Sequence, residues 1–163
     1  MVKNERVEDR YNRQQLIDGW NQEKLANSRV VLVGAGNLSG FTALSLAALG
    51  IGNLEIYDSG KVSRKQDNIL FFSQDYQPRA LALEELLKKI NPNPKIKGIN
   101  ISFENQQMLP MMGRPNIIID LTNSLKSKEN ILRYAEPGKI NFVSAVANEF
   151  ASQLQVIRAS VAS

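Results

Sequence analysis

Residues 29–58 read "RVVLVGAGNLSGFTALSLAALGIGNLEIYD". The first five are a β-branched run with no polar break, as expected of a strand buried on both faces. "GAGNLSG" follows as a loop. "FTALSLAALG" (41–50) is apolar nearly all round, which suits a helix packed deep against a sheet. Gly50 and Gly52 end that helix, and "NLEIYD" (53–58) is a second strand. Gly34 and Gly36 take the first two places of a G-x-G-x-x-G pattern; Ser39 holds the third, with Gly40 one residue later. The first glycine permits a tight turn, and the second lets the backbone approach a phosphate. The helix start behind them offers unpaired N–H groups and a positive dipole end. Asp58 stands 24 residues after Gly34, near the usual spacing for an acid on a ribose hydroxyl. Strand, glycine turn, helix, strand and acid in this order read as a mononucleotide site or its remnant. The structural alternative is a tight turn kept for packing, and a dinucleotide-dependent dehydrogenase is the usual first reading of such a pattern.

Working outward, "RYNRQQLIDGWNQEKLANS" reads as two short helical pieces broken at Gly19, with Asn21 capping the second. On the other side, Pro78 fits the first turn of a helix. Leu83, Leu86, Leu87 and Ile90 give that helix an apolar face, and "NPNP" (91–94) stops it. "KIKGINIS" (95–102) is a third strand, and "NIIID" (116–120) a buried strand ending in an acid. A helix over 127–135 ends at Pro137-Gly138; "INFVSAV" and "SQLQVIR" are two more strands. Alternating strands and helices predict a Rossmann-like, doubly wound α/β fold with a mostly parallel sheet and an N-terminal helical extension. The expected division is an extension over 1–28 and the Rossmann-like domain over 29–163. Ligands bind such sheets at the carboxyl ends of the strands, which places residues 34–39, Asp58 onward and residues 120–124 together.

Composition narrows the chemistry. The 163 residues suit one domain and include no cysteine and no histidine. Thiolate nucleophiles, thioester chemistry, disulfides, Cys/His zinc sites and an imidazole base are therefore excluded. The net charge is +4, but Lys and Arg are spread along the chain with no block of five like charges. No basic patch interleaved with aromatics speaks for nucleic acid. No apolar run reaches the ~18 residues that span a membrane, and the polar, acid-containing N-terminus is no secretory signal. The expectation is a soluble cytoplasmic protein.

A Rossmann dehydrogenase commonly starts close to its first strand, yet 28 residues precede Arg29 here. They include "RYNRQ" and the start of "LANSRVVLVGAGNL". With "GIGNLEIYD" and "LLKKINPNPKI" behind them, this order resembles the ThiF/MoeB/HesA family and the adenylation halves of ubiquitin-activating enzymes, from about Arg10 to Arg158. The resemblance implies a domain that binds Mg-ATP, adenylates the C-terminal glycine of a ubiquitin-like or sulfur-carrier protein and releases pyrophosphate. Such chemistry rests on phosphate cradling, charge neutralisation and in-line positioning, and needs neither histidine nor cysteine.

Carried over residue by residue, the resemblance is uneven. Gly34 and Gly36 match the phosphate-loop glycines, and Asp58 the ribose acid. Asn37 and Ser39 stand where the family has glycine. Asn37 tolerates a left-handed backbone, although its Cβ narrows the approach of ATP. Gly60 stands at a second acid, Gln66 at an asparagine, Ile69 at a phosphate-binding arginine and Leu70 at a glutamine. Arg79 takes the place of a lysine; Asn123 replaces an aspartate that helps hold Mg²⁺, and an amide is a weaker ligand for a hard dication. Gly34, Gly36, Asn37, Asp58, Arg79 and Asn123 form the expected cofactor-binding set, with a weakened hold on ATP and Mg²⁺, no dedicated metal ligand and no zinc. Arg13 in "RYNRQ" matches an arginine that, in family dimers, reaches the ATP phosphates of the partner subunit. Keeping that arginine while losing the resident site resembles the inactive half of heterodimeric activating enzymes. The resemblance thus implies a homodimer or a heterodimer with an active relative. Two alternatives stand beside it: a self-sufficient adenylyltransferase with a divergent site, and a non-catalytic module that binds a ubiquitin-fold partner. Many relatives continue with a crossover segment and cysteine pairs for zinc, so the chain is either a fragment or a minimal version.

Overall fold

The computed structural model describes residues 10–65, 70, 73–147 and 151–159. Among them, six strands form one sheet: β1 (Arg29–Val33), β2 (Asn53–Tyr57), β3 (Lys95–Ile99), β4 (Ile117–Asp120), β5 (Asn141–Ala147) and β6 (Ser152–Ile157). Their spatial order is β3-β2-β1-β4-β5-β6. The first five run parallel, and β6 pairs antiparallel with β5. The helices are α1 (Gln22–Ala26), α2 (Asn37–Leu49), α3 (Arg79–Ile90) and α4 (Leu125–Ala135). This is the doubly wound Rossmann-type order expected from the sequence.

The period-2 alternation of the strands divides the core into two layers. Val30, Leu32, Leu54 and Ile56 face α2 and α3, meeting Ala43, Ala47, Leu83 and Leu87. Val31, Val33, Tyr57, Ile118 and Phe142 face the other way, toward Phe103, Met112 and Ile131. The second layer is closed by α4 and by a 3₁₀ segment, Gln106–Met112. α2 lies close to the sheet because the residues it buries are small: Ser39, Gly40, Ala43 and Ala47.

Several boundaries differ from the sequence expectation. α2 begins at Asn37, not at Phe41: residues read as loop already form its first turn. α4 begins at Leu125, because the Ser124 hydroxyl accepts from the Ser127 N–H (3.2 Å) and caps it. Pro78 sits one residue ahead of α3 instead of inside its first turn, and the third strand stops at Ile99. The 3₁₀ segment over 106–112 was not expected. Pro110 interrupts its pattern, although Asn105 capping Gln107 (3.0 Å) marks its start. Asn21 caps α1 as expected, its side chain accepting from the Lys24 N–H (2.7 Å).

The N-terminal segment docks at the far end of α2. The side-chain amides of Gln14 and Gln22 both donate to the Leu49 carbonyl (3.0 Å each). Buried Asn91 donates to the Ala47 carbonyl and to the Tyr11 hydroxyl (2.7 Å each). Side chains thus satisfy carbonyls that the end of a helix leaves without intrahelical partners.

Candidate nucleotide site

The strand order reverses between β1 and β4, and a cavity of about 350 Å³ opens at the carboxyl ends of the strands there. Ligands bind open α/β sheets at such a switch point. Gly34, Gly36, Asp58, Gly60, Arg79 and Asn123 all line it. The segments that the sequence set apart as three strand ends therefore meet in one place.

Gly34 has φ +101°, and its N–H donates to the Tyr57 carbonyl (2.8 Å). A Cβ there would lie 3.0 Å from Ser39 Oγ and 3.3 Å from the Leu121 backbone. Conformation and space both require glycine. Gly36 immediately precedes α2 and gives its first turn no side-chain cap. Asn37 opens the helix in an ordinary right-handed conformation, so its tolerance of a left-handed backbone is not used. Ser39, at the third glycine position, is 1% exposed, and its hydroxyl has no hydrogen-bond partner among the described residues.

Asp58 is a structural hub. One carboxylate oxygen accepts from the Ala35 N–H (2.8 Å) and the other from the Gly60 N–H (2.6 Å). The Arg79 Nε contacts the latter oxygen at 3.3 Å. The acid thus fastens the glycine turn to the segment after β2. Gly60 has a steric role: a Cβ there would stand 2.7 Å from Arg79 Cζ and closer still to Nη2. The guanidinium occupies the space that a side chain at 60 would need. The backbones are tied as well, Arg79 N–H to the Gly60 carbonyl (3.0 Å). Leu70, which stands at a family glutamine, is buried in the layer under α2 and α3. Gln66 and Ile69 lie outside the described residues.

On the opposite wall, Asp120 is fully buried and turned away from the cavity. It accepts from the N–H and hydroxyl of Thr122 (3.1 and 2.8 Å) and from Lys128 Nζ (2.8 Å). Lys128 also donates to the Ser144 hydroxyl (2.9 Å). This network fixes the loop that presents exposed Asn123. Beside it, the Ser124 hydroxyl donates to Glu104 (2.7 Å), a cavity-lining acid that the sequence did not single out. Nor did it suggest Lys128 or Ser144; Lys128 reaches back to Asp120 from one turn inside α4.

Below the site, Arg29 donates to both oxygens of Glu55 (2.9 and 2.8 Å), which raises the guanidinium's pKa. The Tyr57 hydroxyl donates to the same carboxylate (2.9 Å). Burial first, then that carboxylate, pushes the phenol well above its ordinary range.

The cavity suits the phosphate of a nucleotide better than a metal. A helix start without a side-chain cap and the open space over Gly36, with the Arg79 guanidinium beside it, fit an anionic group. A divalent cation finds no comparable set. Asp58 is engaged by two N–H groups and a guanidinium, Asp120 points into its own network and Asn123 is neutral. No cluster of three or more His, Cys, Asp or Glu exists among the described residues. Among the described residues, Asp58 and Glu104 are the carboxylates that line the cavity.

Arg13 lies elsewhere. It is exposed, and among the described residues its side chain has no partner. Its neighbour Gln14 is bonded at the C-terminal end of α2. Twelve helical steps of about 1.5 Å put that end ~18 Å from the glycine turn. The structure does not bring Arg13 into the cavity of its own chain.

Strand order, glycine turn and acid at the switch point define a Rossmann-like nucleotide-binding fold. More narrowly, the chain belongs to the ThiF family, whose profile matches residues 10–162. It is 28% identical over 160 residues to the sulfur carrier protein ThiS adenylyltransferase of Escherichia coli, covering 94% of this chain and 64% of that protein. It is 28% identical over 153 residues to the molybdopterin-synthase adenylyltransferase of the same organism, covering 90% and 61%. The chain thus spans less than two thirds of the length of either relative. Among solved structures, E. coli MccB with ATP superposes with a TM-score of 0.77 at 21% identity, covering 87% of this chain and 45% of that one. That likeness concerns the fold alone.

No helix among the described residues is long and apolar enough to cross a membrane.

Proposed function

We propose that the chain is an adenylation-fold subunit with a degraded site of its own. It pairs with an active ThiF/MoeB-type adenylyltransferase and lends Arg13 to that partner. The reaction served is adenylation of the C-terminal glycine of a ubiquitin-like or sulfur-carrier protein. The position of Arg13 carries this reading: a free, exposed guanidinium ~18 Å of helix away from its own glycine turn can meet a phosphate only on another chain. Two features support it. The charge set of the cavity is depleted, with Gly60 and Asn123 where acids stand in relatives. The outer face of α2 is apolar, with Phe41 55% exposed and Leu38 exposed beside it. Register places Val156 and Leu154 of β6 on that same side of the sheet, through Leu32, Ile119 and Val143. Both are exposed. An uncharged helix stripe next to an uncovered sheet face suits a second chain of the same fold. Because the resident site is depleted, a heterodimer serves catalysis where a homodimer would not.

Pyrophosphate release by an intact relative and its carrier, with and without this chain, tests the proposal. The expected result is a gain in rate that disappears with Arg13→Ala. No gain, or a gain indifferent to Arg13→Ala, overturns it.

The intact glycine turn and its roomy cavity favour a second reading, a divergent but self-sufficient adenylyltransferase. Carrier-dependent pyrophosphate release by the chain alone would establish it in place of the first.

A further inference from the structure

The two edges of the sheet are built differently. At one edge, β3 exposes Lys95 and Lys97, and the Glu84 side chain accepts from its Gly98 N–H (2.6 Å). Charged side chains and a satisfied donor keep a sheet edge from pairing with another chain. At the other edge, β6 (Ser152–Ile157) reads "SQLQVI", with no lysine, acid or proline. Its residues 152–156 are all exposed, and among the described residues no strand pairs with its outer side. Leu154 is 68% and Val156 55% exposed. Register puts both on the α2 side of the sheet, with Gln153, Gln155 and Ile157 on the other side. Such an edge is a template for a further strand.

The edge is also complementary to itself. Residues directly opposite in an antiparallel pair share a face, so a two-fold axis normal to the sheet can be centred on any residue of β6. Centred on Gln155, it sets Leu154 of each copy opposite Val156 of the other, and the two Gln155 opposite one another. Centred on Leu154 or on Val156, it would set an apolar side chain against Ser152 or Arg158. With the axis at Gln155 the two Arg158 stand ~20 Å apart along the strands, so no like charges meet. We infer that two copies of this chain join through β6, edge to edge and antiparallel about Gln155, into one continuous sheet. An edge of this length spans ~20 Å and covers far less than the ~800 Å² per partner of a permanent dimer. The contact is therefore reversible and set by concentration. It uses a backbone edge and not the outer face of α2, so it stands apart from the role given to Arg13 and from any adenylating partner.

Sedimentation of the full chain from ~10 μM to ~1 mM should show a monomer–dimer equilibrium; a monomer throughout overturns the pairing. Two double variants test the register. Leu154→Lys with Val156→Lys sets ammonium against ammonium at both apolar pairs and should weaken the dimer about tenfold or more. Leu154→Glu with Val156→Lys sets unlike charges opposite one another and should keep most of the affinity. Equal losses in both overturn the edge pairing, because a contact made by the sheet face would lose Leu154 and Val156 in either. The chain has no cysteine, so Gln155→Cys supplies its one thiol. Opposite Cα atoms in such a pair lie about 4.5–5.5 Å apart, within disulfide range. Mild oxidation should therefore link the Gln155→Cys chain into a covalent dimer. Gln153→Cys, whose two copies would stand ~14 Å apart, should stay unlinked. Linkage at 153 and none at 155 overturns the register. Sedimentation of the unaltered chain stands even where a variant fails to fold. These readouts need one chain only, so a failed stimulation of a partner leaves them untouched, and the reverse also holds.

Discussion

Replacing Asp58 with alanine should unfasten the glycine turn. The carboxylate is 10% exposed and accepts N–H bonds from Ala35 (2.8 Å) and Gly60 (2.6 Å), the two segments that frame the cavity. A hydrogen bond to a charged group contributes ~1.5–3 kcal/mol. Water in the open cavity would replace part of each lost bond, so the lower figure applies to both. The Arg79 contact is long, at 3.3 Å, and its side chain is 29% exposed, which keeps the pair below about 1 kcal/mol. The expected loss is about 3–4 kcal/mol. For a chain of this size each kcal/mol lowers Tm by ~2–4 °C, so the midpoint should fall by roughly 6–16 °C. Asp58→Asn keeps one acceptor oxygen and should lose about half as much. Urea unfolding of the three proteins measures this, provided the m-value is unchanged. A loss under ~1 kcal/mol for Asp58→Ala would refute the assignment. It would mean that the turn is held by its backbone and by the packing of α2, with the acid free for a ligand.

Three further perturbations test other parts of the structure. Gly34→Ala forces a Cβ onto φ +101° and against Ser39 and Leu121, so it should cost about 2–3 kcal/mol in denaturant unfolding. A cost under ~0.5 kcal/mol would show that the turn can be rebuilt. Lys128→Met leaves fully buried Asp120 without its cation. The expected loss is about 3–5 kcal/mol, and Ser144→Ala, which removes a weaker partner, should lose ~1 kcal/mol. The raised pKa of Tyr57 predicts an alkaline effect. In the folded chain the phenol holds its proton after the unfolded chain has released it, so its stabilisation is complete below pH ~10 and declines as pH rises further. Unfolding free energies from pH 9 upward should decline less steeply for Tyr57→Phe than for the unaltered protein; parallel curves would refute the assignment.

The fold was readable because residues 29–58 carry two distinct periods and a glycine signal in sequence. An uninterrupted β-branched strand, an apolar helix and a second strand leave few other arrangements. The start of α2 was misread for the same reason that the glycine turn stands out: such a turn and a helix N-terminus share residues, so "NLSG" belongs to both. Antiparallel β6 is not written in any period, since alternation sets which face a residue takes and not which way its strand runs. The turn at Gly34 and Gly36 was legible because its geometry is local. Asp58 lines the cavity, but its bonds to Ala35 and Gly60 span a helix and a strand. Lys128 and Glu104 come from α4 and from the segment after β3, and pattern does not reveal such long-range meetings. The docking of Gln14 and Gln22 on Leu49, which sets where Arg13 stands, is of the same kind.

Gly60 and Arg79, read separately from the sequence as two departures from the family, are one structural event. The guanidinium lies in the volume that any side chain at 60 would claim, so its present position depends on glycine there. Reinstating a carboxylate with Gly60→Asp therefore does not return a free acid to the cavity. The flexible end of Arg79 gives way, and the new carboxylate meets the cation it displaced. Stability should change by less than ~1 kcal/mol, as for a partly exposed pair, while affinity for Mg²⁺ remains undetectable. Gly60→Asp combined with Asn123→Asp should behave differently, because the second acid lies across the cavity beside Glu104 and Ser124, out of the Arg79 pairing. Measurable Mg²⁺ binding by Asn123→Asp and by the double variant alike, and none by Gly60→Asp, read by calorimetry on the metal alone, is the expected result. Binding by Gly60→Asp alone would show that Arg79 does not occupy the acid's place, and the account of a single coupled change would fall.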